Sequence, residues 1–203
     1  LPEFSRAALE TLRQPLEDRE VTVSRVEATV TYPANFQLVA AMNPCPCGHF
    51  PDLARCRCTE GQITRYLQKI SGPLLDRIDL CVEASPVTYG DIRGGGENEA
   101  SGAIRARVEQ AREIQKERFM EENIRCNGEM AGRHIRKYCV LGKEEETFME
   151  EIFEKLALSA RMHDRILKVA RTTADLAGAS EIRLSDLCEA VSYVKSREKF
   201  WGN

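Results

Sequence analysis

The chain has 203 residues, 42% of them hydrophobic and 30% charged, with a formal charge of -3. That apolar share can build a core, which excludes disorder as the main state and fits one globular domain, or one domain with a small second one. The slightly acidic balance argues against a protein that coats nucleic acid, no run of about 18 apolar residues offers a membrane span, and no secretion signal opens the chain, so a cytoplasmic protein is expected.

In chain order, residues 3–14 carry Phe4, Ala7, Ala8 and Leu12 at helical spacing, and Pro15 is expected to end that helix. Over residues 21–32 the period changes to two. Val21 and Val23 share one face, and Ala28, Val30 and Tyr32 do the same beyond a turn at Ser24-Arg25, which predicts a β-hairpin. The nearly continuous apolar run at residues 36–42 predicts a buried central strand of a parallel sheet. A cluster of cysteines follows. Residues 60–70 predict a helix with Ile63, Leu67 and Ile70 on one side; Ser71-Gly72-Pro73 breaks it and starts a short helical turn through Leu74 and Leu75. Residues 78–84 predict a second short strand. Residues 90–99, with glycines at 94, 95 and 96, predict a linker. Helices are expected beyond it at 101–120, 131–140, 143–156, 160–176 and 184–195, with Ser185 and Asp186 where a cap belongs. The chain thus divides near residue 95 into an α/β part and an all-α part. It opens on Leu1 with a helical pattern already under way, which predicts a piece of a larger protein.

A phosphate loop would need Gly-x-x-x-x-Gly-Lys-Ser/Thr, so that backbone amides can cradle phosphates. Gly142-Lys143 comes nearest, with Lys137 in place of the first glycine and Glu144 in place of the Ser or Thr. No apolar strand ends in adjacent acids that would hold magnesium. The three histidines, His49, His134 and His163, stand in unrelated contexts, and no Ser/His/Asp constellation is legible.

The strongest local signal is Cys45-Pro46-Cys47-Gly48 with Cys56-Arg57-Cys58. Two thiolate pairs this close can close a tetrahedral shell around one Zn²⁺, and Gly48 and Pro51 let the loop between them turn back. The one-residue bite is tighter than the commoner Cys-x-x-Cys, so free or redox-active thiols and disulfides stay open as alternatives. His49 is either an extra ligand or an exposed loop histidine. Cys81, Cys126, Cys139 and Cys188 are scattered and read as small buried apolar residues in a reducing compartment.

Three further residues carry possible phosphate chemistry. Asn43 stands at the end of the apolar run, where a short amide can orient a water or a phosphate oxygen, or simply start an Asn-Pro turn. Arg77 follows a rigid Gly-Pro start and lies between Asp76 and Asp79. Its guanidinium suits the charge on a transferring phosphoryl group, or a local ion pair with either acid. Arg161 and Arg165 share one helix face, and either meet an anion or form a solvated stripe balanced by Asp164.

Taken together and in this order, residues 2–18, 41–48, 70–80 and 159–176 resemble magnesium chelatase-like AAA+ ATPases, and among them the bacterial YifB/ComM subfamily, over essentially the whole chain. The resemblance implies the C-terminal part of an AAA+ P-loop-type α/β core over residues 1–95, with a hairpin at 21–32 and a cysteine-rich insertion at 44–59. A helical lid would follow over residues 96–203. It implies that Asn43 is sensor 1, that Arg77 is an arginine finger reaching the neighbouring subunit's γ-phosphate, and that Arg161 is sensor 2. It makes Arg25, in a pore-facing hairpin, a candidate substrate contact, and it strengthens the reading of Cys45, Cys47, Cys56 and Cys58 as zinc ligands. The phosphate loop, the magnesium-binding acids and an amino-terminal protease-like domain would precede Leu1. ATP and Mg²⁺ are therefore expected of the full-length protein only, and the present chain alone is expected to be inactive. The implied partners are further copies in a ring and, from the subfamily's association with natural transformation and DNA branch migration, DNA. Two alternatives remain. One is a zinc-containing nucleic-acid or protein-binding module without catalysis, with Arg55, Arg57, Arg65 and Lys69 as a small basic patch. The other is a magnesium chelatase subunit of tetrapyrrole synthesis, from which the cysteine insertion points away.

Overall fold

A side-chain cap decides where the first helix starts in the computed structural model, which describes residues 1–87, 89–93 and 99–201. Ser5 Oγ accepts the Ala8 N–H at 3.2 Å and opens α1 (Arg6–Thr11). The helical stretch then divides at Leu12, and α2 (Arg13–Asp18) follows. Pro15 does not end a helix as its position predicts. It sits in the first turn of α2, where a missing N–H costs no helical bond. Arg19, at φ 60°, turns the chain out of α2 into β1 (Glu20–Ser24).

β1 pairs antiparallel with β2 (Thr29–Pro33), with Val23 opposite Val30 and Val21 opposite Tyr32. Hydroxyls pair across the strands at Thr22–Thr31 (3.0 Å) and Ser24–Thr29 (3.2 Å). Backbone bonds between Arg25 and Ala28 close the turn and leave Val26 fully exposed at its tip. The hairpin lies where the alternation predicts it.

The two other predicted strands do not form. Residues 36–42 and 78–84 are irregular, and much of their apolar surface faces solvent, with Val39 85% and Val82 75% exposed. An apolar run becomes a strand only where neighbours take its N–H and C=O groups. Among the described residues, β1–β2 is the only ladder. The structure is mostly helical with one two-stranded sheet, not a parallel α/β sheet.

Thr59 and Gln62 form a capping box at the start of α3 (Glu60–Leu67), and Ser71 caps α4 (Gly72–Leu75), with Pro73 in its first turn. These elements close one small core: Leu9, Ile70, Leu74 and Leu75, with Leu12, Leu16, Met42, Ile78 and Trp201 packed around it. The Trp201 indole donates to the Leu67 carbonyl at 3.2 Å. This first unit comprises Leu1–Asp79 and the end of the chain from Glu198.

The second unit, Leu80–Arg197, is helical. It holds α5 (Tyr89–Arg93), α6 (Ser101–Arg118), α7 (Gly132–Tyr138), α8 (Lys143–Lys155), α9 (Ala160–Leu176) and most of α10 (Leu184–Trp201). Of the predicted linker, residues 94–98 lie outside the described residues, and Tyr89–Arg93 forms α5. Asp186 supplies the expected cap of α10 by accepting the Arg183 N–H at 2.8 Å. The core gathers Ile166, Leu167 and Ala170 of α9 with Met130, Ile135, Ile152, Leu187 and Val191.

A polar knot lies inside this core. Asp175, 1% exposed, accepts from Arg118 (2.5 and 2.7 Å), Arg171 (3.1 Å) and Asn127 (2.7 Å). Arg171 also donates to the carbonyls of Ala179 (2.6 Å) and Ser180 (2.9 Å), which fastens the loop after α9. A buried carboxylate needs such saturation, since an unpaired charge is costly in a low dielectric. Among the described residues no helix is long and apolar enough to cross a membrane.

Candidate functional site

The four clustered cysteines come together. The Gly48 N–H donates to the Cys45 carbonyl at 3.0 Å, and Gly48 takes φ 80°, a conformation that favours glycine. Asp52 then folds the return path. Its side chain accepts from Ala54 at 3.0 Å, and its carbonyl accepts from Cys56 at 2.8 Å. The Sγ–Sγ separations are 3.4 Å (Cys45–Cys47), 3.6 Å (Cys47–Cys56) and 3.8 Å (Cys45–Cys56), and all four sulfurs, Cys58 included, lie within 4.8 Å of one another. A tetrahedron of thiolates at about 2.3 Å from a zinc ion has edges of about 3.8 Å, so the group is of the right size for one metal ion.

The electrostatics agree with that fit. Backbone N–H groups of His49 and Arg57 pull the Cys47 thiol down to about 6. Burial, aided by the neighbouring Cys47 and Cys45, pushes Cys58 up to about 12. Thiols gathered this closely resist ionising together, and a cation among them removes that cost. The Phe50 N–H donates to the buried Cys45 sulfur at 3.4 Å, an outer hydrogen bond of the kind that orients a metal ligand. Among the described residues the cluster consists of the four cysteines alone; His49 is exposed and contributes its backbone N–H.

The scattered cysteines are not alike. Cys139 is buried, and its thiol is pushed up to about 11 by that burial. Cys81 is half-buried, whereas Cys126 and Cys188 are exposed, which corrects the expectation that all four are core residues.

Asn43 is exposed, and its side chain lies over the Gly48 turn, 3.7 Å from where a Cβ on that glycine would stand. The amide is thus held next to the cysteine loop, at the end of a segment that is irregular and not a strand.

Arg77 follows α4 directly. Its Nη1 donates to the Pro73 carbonyl at 2.5 Å, its Nη2 pairs with Glu17 at the end of α2, and its side chain is 15% exposed. The acids nearest to it in sequence are Asp76 and Asp79. Glu17 is far away in sequence and reaches Arg77 because Leu16 of α2 packs against the core of Leu9, Leu74 and Leu75.

Arg161 and Arg165 lie on α9, in the other unit. Arg161 is exposed near the helix start, which Ser159 caps by accepting the Met162 N–H at 3.2 Å, whereas Arg165 is buried. The two therefore do not form a single solvated stripe.

Comparison with known proteins adds the family. Residues 1–92 match the family profile described as magnesium chelatase, subunit ChlI, and residues 98–194 match the ChlI C-terminal profile. The chain is 44% identical over 194 residues to the competence protein ComM of Haemophilus influenzae and to YifB of Salmonella typhimurium, and 43% identical to YifB of Escherichia coli. The chain belongs to the magnesium chelatase-like YifB/ComM subfamily. Each of these matches takes in 95% of the chain and 37% of the relative, so the chain spans little more than a third of the length of the proteins it matches.

Proposed function

We propose that this chain is part of a ring-forming, ATP-hydrolysing AAA+ motor, and that it completes a nucleotide site whose phosphate loop and magnesium ligands lie elsewhere in a longer protein. On this reading residues 1–95 are the C-terminal part of the AAA+ core, residues 44–59 its cysteine-rich insertion, and residues 96–203 the lid. ATP and Mg²⁺ supply the reacting phosphoryl group and part of its charge neutralisation. The chain's own residues do the rest. The Asn43 amide orients the attacking water. The Arg77 guanidinium meets the charge that develops on the phosphoryl group held by the adjacent subunit, and Arg161 meets the phosphates from the lid.

Cys45, Cys47, Cys56 and Cys58 hold one Zn²⁺ in a structural role, since four protein ligands leave no open position for chemistry. The relative ComM is described as a competence protein. By that likeness the motor works on DNA, with Arg25 beside the exposed hairpin tip as a contact.

The observation that carries this reading is Arg77, a cation fixed at the end of a capped helical turn whose leucines are fully packed. The test is ATP turnover by the full-length protein. Arg77→Ala is expected to lower kcat by at least about a hundredfold, as loss of an arginine finger does, and Asn43→Ala to lower it as well. Turnover within about twofold of the unaltered protein for Arg77→Ala would overturn the reading.

A further inference from the structure

We propose that the cysteine loop is the seat of Asn43: the turn that carries Cys45 and Cys47 fixes the direction of the Asn43 amide, so that metal loading of the loop sets the rate of ATP turnover. This rests on the readings of Asn43 as the water-orienting group and of the four cysteines as zinc ligands. The contact is made by the face of the amide. A Cβ built on Gly48 would stand 3.7 Å from Asn43 Cγ, 3.7 Å from its Nδ2 and 4.0 Å from its Oδ1. Three nearly equal distances put the flat face of the amide, not an edge, over Gly48. Its donor and acceptor atoms are then directed along the surface of the turn rather than into it, on a side chain that is exposed.

Asn43 is joined to the loop at two places. Through Pro44 it runs into Cys45, and across space its amide rests on Gly48, the neighbour of Cys47. Neither link has much freedom. Pro44 has a fixed φ and keeps the residue before it out of the helical region. Gly48 is held at φ 80° with its N–H on the Cys45 carbonyl at 3.0 Å. Cys45 is 0% exposed, and its sulfur accepts the Phe50 N–H at 3.4 Å. The Cys45–Cys47 half of the loop thus carries the amide. All four cysteines are free thiols, so an ion shared with Cys56 and Cys58 is the cross-link that ties this half to the returning one. Loss of that cross-link lets the turn under Asn43 relax, and misplacement of a group that orients a reactant costs rate.

The test has two arms. In the first, the side-chain NH₂ resonances of Asn43 are followed in the isotope-labelled chain, assigned by their loss in Asn43→Ala. They are expected to shift when a chelator removes zinc and to return when zinc is added back, with the resonances of the helical unit unmoved. In the second, the full-length protein is stripped of zinc, freed of chelator and supplied with Mg²⁺. Its kcat for ATP is expected to fall about tenfold with KM within about twofold, and zinc to restore it. Gly48→Ala keeps all four ligands, and is expected to retain zinc while moving the same resonances and lowering kcat. Asn43 resonances unmoved by zinc removal, or full turnover by the zinc-free protein, would overturn the inference and leave the zinc site standing. Collapse of the whole spectrum on zinc removal, with Gly48→Ala at full turnover, would also overturn it, since the ion would then hold the fold and not the amide. A chain that takes up no zinc, or full turnover in Asn43→Ala, would overturn the reading on which the inference rests, and the inference with it.

Discussion

Single residues hold the second unit together through charge. Asp175 neutralises Arg118 and Arg171 inside the core, so Asp175→Ala leaves two guanidinium groups short of a partner. A loss of about 3–5 kcal/mol is expected, read by denaturant unfolding, and less for Asp175→Asn, which keeps the shape. A loss under about 1 kcal/mol would mean that the knot adds nothing. Glu122 sets the response to acid. Hydrogen bonds from Lys137 and Tyr138 hold its carboxyl down to about 2, far below its unfolded value. A depressed carboxyl stabilises the fold above its unfolded pKa, near 4.5, and that contribution is lost as pH falls from there towards about 2. Glu122→Gln should therefore flatten the fall in Tm between pH 4.5 and 2; an unchanged profile would assign acid sensitivity to other groups.

At the level of elements, the cysteine loop is the part most directly open to test. One zinc ion per chain is expected by plasma mass spectrometry, with four thiols becoming reactive once a chelator removes it. Cys56→Ser is expected to lose the metal, and Gly48→Ala to destabilise the loop by about 1 kcal/mol, because the added Cβ must adopt φ 80°. A metal-free chain whose four clustered thiols react without a chelator would end the zinc reading. This loop was legible in the sequence because its ligands are local and its turn residues are glycine and proline. So were the hairpin and the helices from α6 to α10, whose periodicity is also local, with side-chain caps at α9 and α10. Residues 36–42 were not. Their apolar pattern describes a strand in a sheet, and no neighbouring strand is among the described residues, so the run stays irregular and exposed. The pairing of Glu17 with Arg77 was illegible for the opposite reason: it depends on a packed core that brings distant helices together, and neither residue's neighbourhood signals it.

At the scale of the whole molecule, family membership and the distribution of residues lead to the same account. On the proposed reading Asn43 orients the attacking water and Arg77 and Arg161 meet phosphates, and the sequence carries no Gly-x-x-x-x-Gly-Lys-Ser/Thr motif. Alone the chain is expected to turn over no ATP, and the longer protein is expected to need neighbouring copies. The measurement that tests this most directly mixes two inactive variants of the full-length protein, Arg77→Ala and Asn43→Ala. A site holding its own Asn43 and facing a neighbour's Arg77 is intact wherever the two variants adjoin in the right order. Random mixing makes about a quarter of head-to-tail interfaces intact, so about a quarter of the unaltered turnover should return. Mixtures as inactive as either variant alone would contradict the account, because Asn43 and Arg77 would then have to act within one subunit.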